Sequence, residues 1–226
     1  MVLLASMSAI AKFIRRLPFT LATLFMLSLV AIWTNTYLGQ ISHLWLSRLG
    51  FAPSDLLELN LERLVTSALV TNGGSVFWKA FAMILICVGT AEWLTGTRRT
   101  GFTFWGVHLL ALFLLTLIIT LSHRQLRQFG LQVALAARDV GPSAGYFACL
   151  GLLSGWIKPP WNWISGAVLL AAFVIALFIP TAAGQNAQVK FAADLAHLLA
   201  FPLGWLSAGI GRKHQTGSLS ARSLKT

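Results

Sequence analysis

Phe102-Thr-Phe-Trp-Gly-Val-His-Leu-Leu-Ala-Leu-Phe-Leu-Leu-Thr-Leu-Ile-Ile-Thr-Leu121 carries one ionisable side chain, His108, in 20 residues. At about 1.5 Å per residue such a helix matches the ~30 Å hydrocarbon core of a bilayer. Five further stretches read the same way: 17–38, 76–95, 141–157, 161–180 and 191–210. The expected fold class is therefore all-α, a polytopic membrane protein with six transmembrane helices. The stretch 141–157 is short and rich in small residues (Gly141, Ala144, Gly145, Ala148, Gly151, Gly155). Small residues let helix backbones approach closely, so this segment is expected at the centre of the bundle. The stretch 161–180 is more uniformly apolar and is expected to face lipid.

Composition agrees. Of 226 residues 57% are hydrophobic and 10% charged, where a soluble domain carries about 25% charged. Mean hydropathy is +0.75. The net charge of +11 comes from short clusters between apolar runs: Lys12, Arg15 and Arg16; Arg98 and Arg99; Arg212 and Lys213. That is the pattern of membrane-flanking residues, and no continuous basic stripe suited to nucleic acid exists. Cys87 and Cys149 both fall inside expected spans, so no disulfide framework is expected.

The N-terminal run is too long for a signal peptide's apolar region and lacks a clear cleavage site, so it reads as an uncleaved first span. Three segments follow: a basic cytoplasmic stretch 1–16, a membrane domain 17–211 and a disordered cytoplasmic tail 212–226. The positive-inside bias favours both termini in the cytoplasm. A bacterial inner membrane is the expected location, with a mitochondrial membrane as the alternative.

Two connections exceed a turn. In 39–75, Pro53-Ser54-Asp55 reads as a helix start with Ser54 as N-cap. Leu57, Leu61, Leu64, Val65 and Ala68 then make one apolar face, which predicts an amphipathic helix lying in the interface plane. The second connection, 122–140, holds His123, Arg124, Arg127 and Arg138.

Polar residues inside spans are costly, and a functional reading is the default for them. They are Glu92, His108, Ser143, Asp194 and His197. Ser143 follows Pro142 in a first helical turn, where unpaired N–H groups and the positive helix end can stabilise an oxyanion. Its bland alternative is a helix cap. His197 enters from the same side at a similar depth, whereas His108 enters from the other and is placed too far from Ser143. His197 is thus the preferred base for the Ser143 hydroxyl, with a packing histidine as the alternative. Asp194, three residues earlier on one face, either orients the imidazole or marks the water boundary. Glu92 reads as a structural partner for Arg98 or Arg99.

Gly141-Pro-Ser-Ala-Gly-Tyr-Phe-Ala-Cys-Leu-Gly151 resembles the serine motif of the rhomboid family, Gly-x-Ser-Gly followed by small residues and a glycine. His197-Leu-Leu-Ala-Phe-Pro-Leu-Gly204 is similar to that family's histidine helix. Glu62-Arg63-Leu-Val-Thr66 resembles the Trp-Arg-x-x-Thr entry of the first loop. Val88-Gly89-Thr-Ala-Glu92-Trp-Leu-Thr-Gly96-Thr-Arg98 resembles the end of the second span. The order is correct over residues 54–210, and the divergent bacterial rhomboid-like group is the nearest pattern.

The resemblance implies an intramembrane serine protease acting on transmembrane protein substrates, with no metal and no cofactor. Ser143 would be the nucleophile and His197 the base. Gly141, Ala144, Asn72 and Asp194 would support the oxyanion or the imidazole. Arg63, Glu92, Gly96, Gly151 and Gly204 would be structural.

The chain also departs from the pattern. Ala144 and Ala200 stand where the family has glycine, and Glu62 where it has tryptophan. Thr71-Asn-Gly-Gly-Ser-Val-Phe-Trp-Lys79 lacks the His and Asn that complete many rhomboid oxyanion holes. A catalytically silent relative that binds transmembrane helices is the competing expectation. A small transporter is a third, weakened by the lack of internal repeats.

Overall fold

The computed structural model describes residues 15–128, 135–180 and 186–223, with side chains over 15–122, 135–180 and 186–210. All regular elements among them are helical. They are α1 Pro18–Thr34, α2 His43–Leu49, α3 Pro53–Leu57, α4 Arg63–Thr66, α5 Ser75–Thr95, α6 Thr97–Gln128, α7 Ser143–Trp156, α8 Trp161–Phe178 and α9 Ala187–Ser223. A π-helical stretch, Ile84–Val88, lies within α5.

Every expected span coincides with a helix. Four of these helices, or long parts of them, are long and apolar enough to cross a membrane: Ser75–Thr95, Thr97–Ser122, Trp161–Phe178 and Ala187–Ile210. Helix α1, at 17 residues, and α7, at 14, are shorter. The fold class is that of a helical membrane protein.

α7 is the central helix, packed by α5, α6, α8 and α9. Its buried residues are mostly small: Ala144, Gly145, Ala148, Cys149, Gly151, Leu152, Ser154 and Gly155. The closest packing is onto α9. A Cβ added at Gly151 would lie 2.1 Å from the Phe201 carbonyl oxygen, and one at Gly204 2.0 Å from that of Ala148. Only glycine permits backbones this near. Around α8 only Asn162 is buried, so this helix presents nearly all its surface outward.

Glycine acts differently at Gly96. Its φ of +88° lets α5 end and α6 begin within one residue, making them antiparallel neighbours. Beside this turn sits Glu92, which is fully buried. Its carboxylate accepts from the N–H groups of Phe19 and Thr20 and the hydroxyls of Thr20 and Thr97, at 2.7–2.9 Å. The expected pairing with Arg98 or Arg99 is therefore wrong. The open end of α1 supplies unpaired N–H donors nearer than either guanidinium, and Arg99 turns instead to the carbonyls of Ser207 and Ala208.

The first connection corrects the sequence reading more deeply. The single amphipathic helix does not form; α3, α4 and a 3₁₀ turn, Ser67–Leu69, replace it. Ser54 is not the N-cap. Ala52 takes that place, with Pro53 at the first helical position. The cause is Asp55, which is 1% exposed and turned inward. It accepts from the Ala52 N–H at 2.7 Å, from Arg63 at 2.6 Å and from Arg138 at 2.7 and 3.1 Å. Drawing Arg63 and Arg138 onto one carboxylate folds the loop back on itself and ends the helix at Leu57.

The second connection starts later than expected, since α6 continues to Gln128; residues 129–134 lie outside the described residues. Its last part is laced to the first connection. Phe51 and Asp139 exchange both backbone hydrogen bonds at 2.9 Å, and Gly141 N–H donates to Ser67 O at 2.8 Å. Helix α9 runs on through the stretch where the sequence leads to an expectation of disorder, as far as Ser223.

Candidate active site

Ser143 opens α7, with Pro142 as its N-cap. The first intrahelical bond at this end runs from Tyr146 N–H to Pro142 O. The N–H groups of Ser143, Ala144 and Gly145 thus have no partner within the helix. They gather positive potential around the Ser143 hydroxyl.

Helix α7 is much shorter than its neighbour α6. α7 spans about 21 Å and α6 about 48 Å at 1.5 Å per residue. Their ends opposite Ser143 are level, because Arg99 stacks on Trp156 at 4.7 Å. From that level Ser143 is about 20 Å up and His108 about 14 Å up. The two residues thus stand about 6 Å apart along the bundle axis.

This geometry corrects the placing of His108. The two residues line one small cavity of about 40 Å³, together with Ser67, Asp139 and Ala196. The expectation measured the depth of Ser143 from the start of its own span, with that start level with the outer face. Such a cavity has room for one or two waters. His108 is 1% exposed, and its Nε2 lies 3.0 Å from Leu64 O. A carbonyl only accepts, so Nε2 carries the proton and Nδ1 is a lone-pair acceptor. That Nδ1 and the Ser67 hydroxyl are buried without hydrogen-bond partners.

His197 lies one step around α9 from Ala196. Its ring meets Phe147 edge-on at 4.7 Å, and Phe147 is on the Ser143 face of α7 at i+4. Its Nδ1 is 3.9 Å from Asp194 Oδ1, and its Nε2 is buried without a partner. Asp194 also pairs with Lys190, which donates to Ala176 O on α8 at 2.9 Å. Ser143 and His197 therefore flank the same seam between α7 and α9. No hydrogen bond joins Ser143 Oγ to either imidazole.

The supporting residues divide between two places. Gly141 and Ala144 line the small cavity with Ser143. Asn72 lies outside it, on a neighbouring opening of about 580 Å³ that also includes Arg138, Asp139 and Lys190. There Asn72 and Asp139 line the same opening. Burial pushes the Asp139 carboxyl up to about 6, and hydrogen bonds from Val140 and Asn72 pull against that rise. Arg63 holds Asp55, Gly96 makes the α5–α6 turn, and Gly151 and Gly204 close α7 on α9.

Sequence reasoning passed over Ser67 and Asp139. Both stand beside motifs it used, Ser67 directly after Arg63-Leu-Val-Thr66 and Asp139 two residues before Gly141. Among the described residues no cluster of three metal-ligating side chains occurs.

These features define a helical membrane protein in which Ser143 shares a small cavity with the buried His108, while the half-buried His197 stands on the neighbouring α9. Scans of protein-family models, curated proteins and solved structures return no match to this chain.

Proposed function

We propose that this chain is a rhomboid-type intramembrane serine endopeptidase that cuts transmembrane segments of other proteins. In this reading α1, α5, α6, α7, α8 and α9 are six spans, both termini are cytoplasmic, and the membrane is a bacterial inner membrane. The observation that carries it is the seam at the head of α7. There a serine opens a helix N-terminus, and one turn further along the same helix Phe147 packs on an imidazole whose Nε2 is buried without a partner.

Ser143 Oγ attacks the scissile carbonyl while His197 Nε2 takes its proton. The unpaired N–H groups of α7's first turn receive the oxyanion. Collapse of the tetrahedral intermediate breaks the C–N bond, and the imidazolium returns its proton to the leaving amine. Water entering the cavity then hydrolyses the acyl-enzyme, with His197 acting again as base.

A second reading, a silent relative that binds transmembrane helices, draws on two facts. Ser143 Oγ is not hydrogen-bonded to an imidazole, and Asn72 lines a different opening from the cavity that holds Ser143. Fluorophosphonate labelling of the reconstituted protein separates the two. The peptidase reading expects a label on Ser143 that is lost in Ser143→Ala and His197→Ala and kept in His108→Ala. It also expects cleavage of a transmembrane reporter. Labelling equal in wild type and Ser143→Ala, with an intact reporter, overturns it.

A further inference from the structure

A second opening lies far from Ser143, at the end of the bundle where α6 begins. It is a groove of about 930 Å³ between α6 and α9. Its lining changes character along its length. Arg98 and Arg99 stand at one end, and Phe102, Leu110 and Ile210 form hydrocarbon walls beyond them. Gly106 leaves the floor open, since a Cβ there would meet nothing within 4 Å.

No carboxylate among the described residues forms a salt bridge with either arginine at this basic end. Arg99 is committed to the carbonyls of Ser207 and Ala208 and to the Trp156 ring. Arg98 lies over the Phe102 ring at 5.8 Å, and no described carboxylate forms a salt bridge with it. Glu92, the nearest acid in sequence, is saturated by four donors from α1 and Thr97. Arg16 stacks on Trp93 at 4.8 Å at the same end of the bundle. Arginines beside tryptophans are the side chains of a headgroup layer.

We propose that this groove seats one anionic phospholipid, with its phosphate against the Arg98 guanidinium and an acyl chain along Gly106. Charge complementarity selects the occupant. A guanidinium without a counter-ion takes a phosphate through charge-assisted hydrogen bonds. Basic pockets between spans recognise anionic headgroups for this reason. The apolar walls then require that the anion carry hydrocarbon, which free phosphate does not. The site is independent of the chemistry at Ser143.

The test is native mass spectrometry of the full chain, released from micelles holding equal phosphatidylglycerol and phosphatidylcholine. Wild type should retain one phosphatidylglycerol, preferred about fivefold, the contribution of one arginine near a charged headgroup. Arg98→Gln should abolish the preference. Gly106→Leu should fill the groove and release both lipids, and Leu110→Trp tests the same closure from the exposed wall if Gly106→Leu does not fold. An excess of glycerol phosphate should leave the bound lipid in place. Equal retention of the two lipids by wild type, an unchanged preference in Arg98→Gln, or displacement by glycerol phosphate overturns the proposal.

Discussion

The His197 ring meets the Phe147 ring at 4.7 Å with an interplanar angle of 60°, and Phe147 stands one turn along α7 from Ser143. The imidazole is thus positioned by an aromatic neighbour rather than by a close carboxylate, since Asp194 remains 3.9 Å away. Removing the ring frees His197 to rotate without touching either reactive atom. Phe147→Ala should slow fluorophosphonate labelling of Ser143 by about 10²-fold, the scale of loss expected from a misplaced reacting group. Phe147→Tyr should keep most of the rate. Equal rates in wild type and Phe147→Ala would mean that the ring does not set the imidazole.

Asp55 is the buried centre of the first connection and holds Arg63 and Arg138 at once. Neutralising it leaves two guanidinium groups, each about one-fifth exposed, facing each other without a counter-ion. Breaking such a buried pair from one side costs about 3–5 kcal/mol. Asp55→Ala should therefore lower Tm strongly in detergent. Glu58→Gln, three residues on and exposed, should stay within about 0.5 kcal/mol of wild type. Similar melting of Asp55→Ala and Glu58→Gln would remove the clamp from the account.

The sequence disclosed the helices well because span length is a one-dimensional property. The six apolar runs and the small residues of α7 need no partner to be recognised. The glycine pair Gly151 and Gly204 was legible for the same reason, through motif spacing. What stayed hidden depends on three-dimensional neighbours. The periodicity of Leu57, Leu61, Leu64 and Val65 signals a helix. It cannot show that Arg138, more than 80 residues away, recruits Asp55 and breaks that helix. Likewise depths counted from opposite faces put His108 out of Ser143's reach, whereas the 14-residue α7 brings the two onto one cavity.

Asp139, which lines both openings, ties the first and second connections to pH. Its folded pKa, about 6, is raised above the ordinary 3.8 chiefly by burial. A raised carboxyl favours the folded protein fully below the unfolded value and loses that contribution as pH climbs through the folded one. Wild-type Tm should therefore fall between pH 4 and pH 7, across the interval from about 3.8 to about 6. Asp139→Asn, a mimic of the neutral form, should flatten this dependence and melt above wild type at pH 7. Parallel pH curves for the two proteins would show that Asp139 does not titrate in that window.

Gly204 and Gly209 lie on one helix and separate packing from propensity. A Cβ at Gly204 would come within 2.0 Å of the Ala148 carbonyl oxygen, a backbone atom that cannot swing aside. Gly204→Ala must push α7 from α9, and overpacking of this kind costs about 1–3 kcal/mol. The same displacement widens the seam shared by Ser143 and His197, so labelling should fall with Tm. Gly209→Ala meets nothing within 4 Å. It should leave labelling unchanged and raise stability by up to about 1 kcal/mol, the helix preference of alanine over glycine. If both variants melt and label alike, close approach of α7 to α9 is not what sets the reactivity of Ser143.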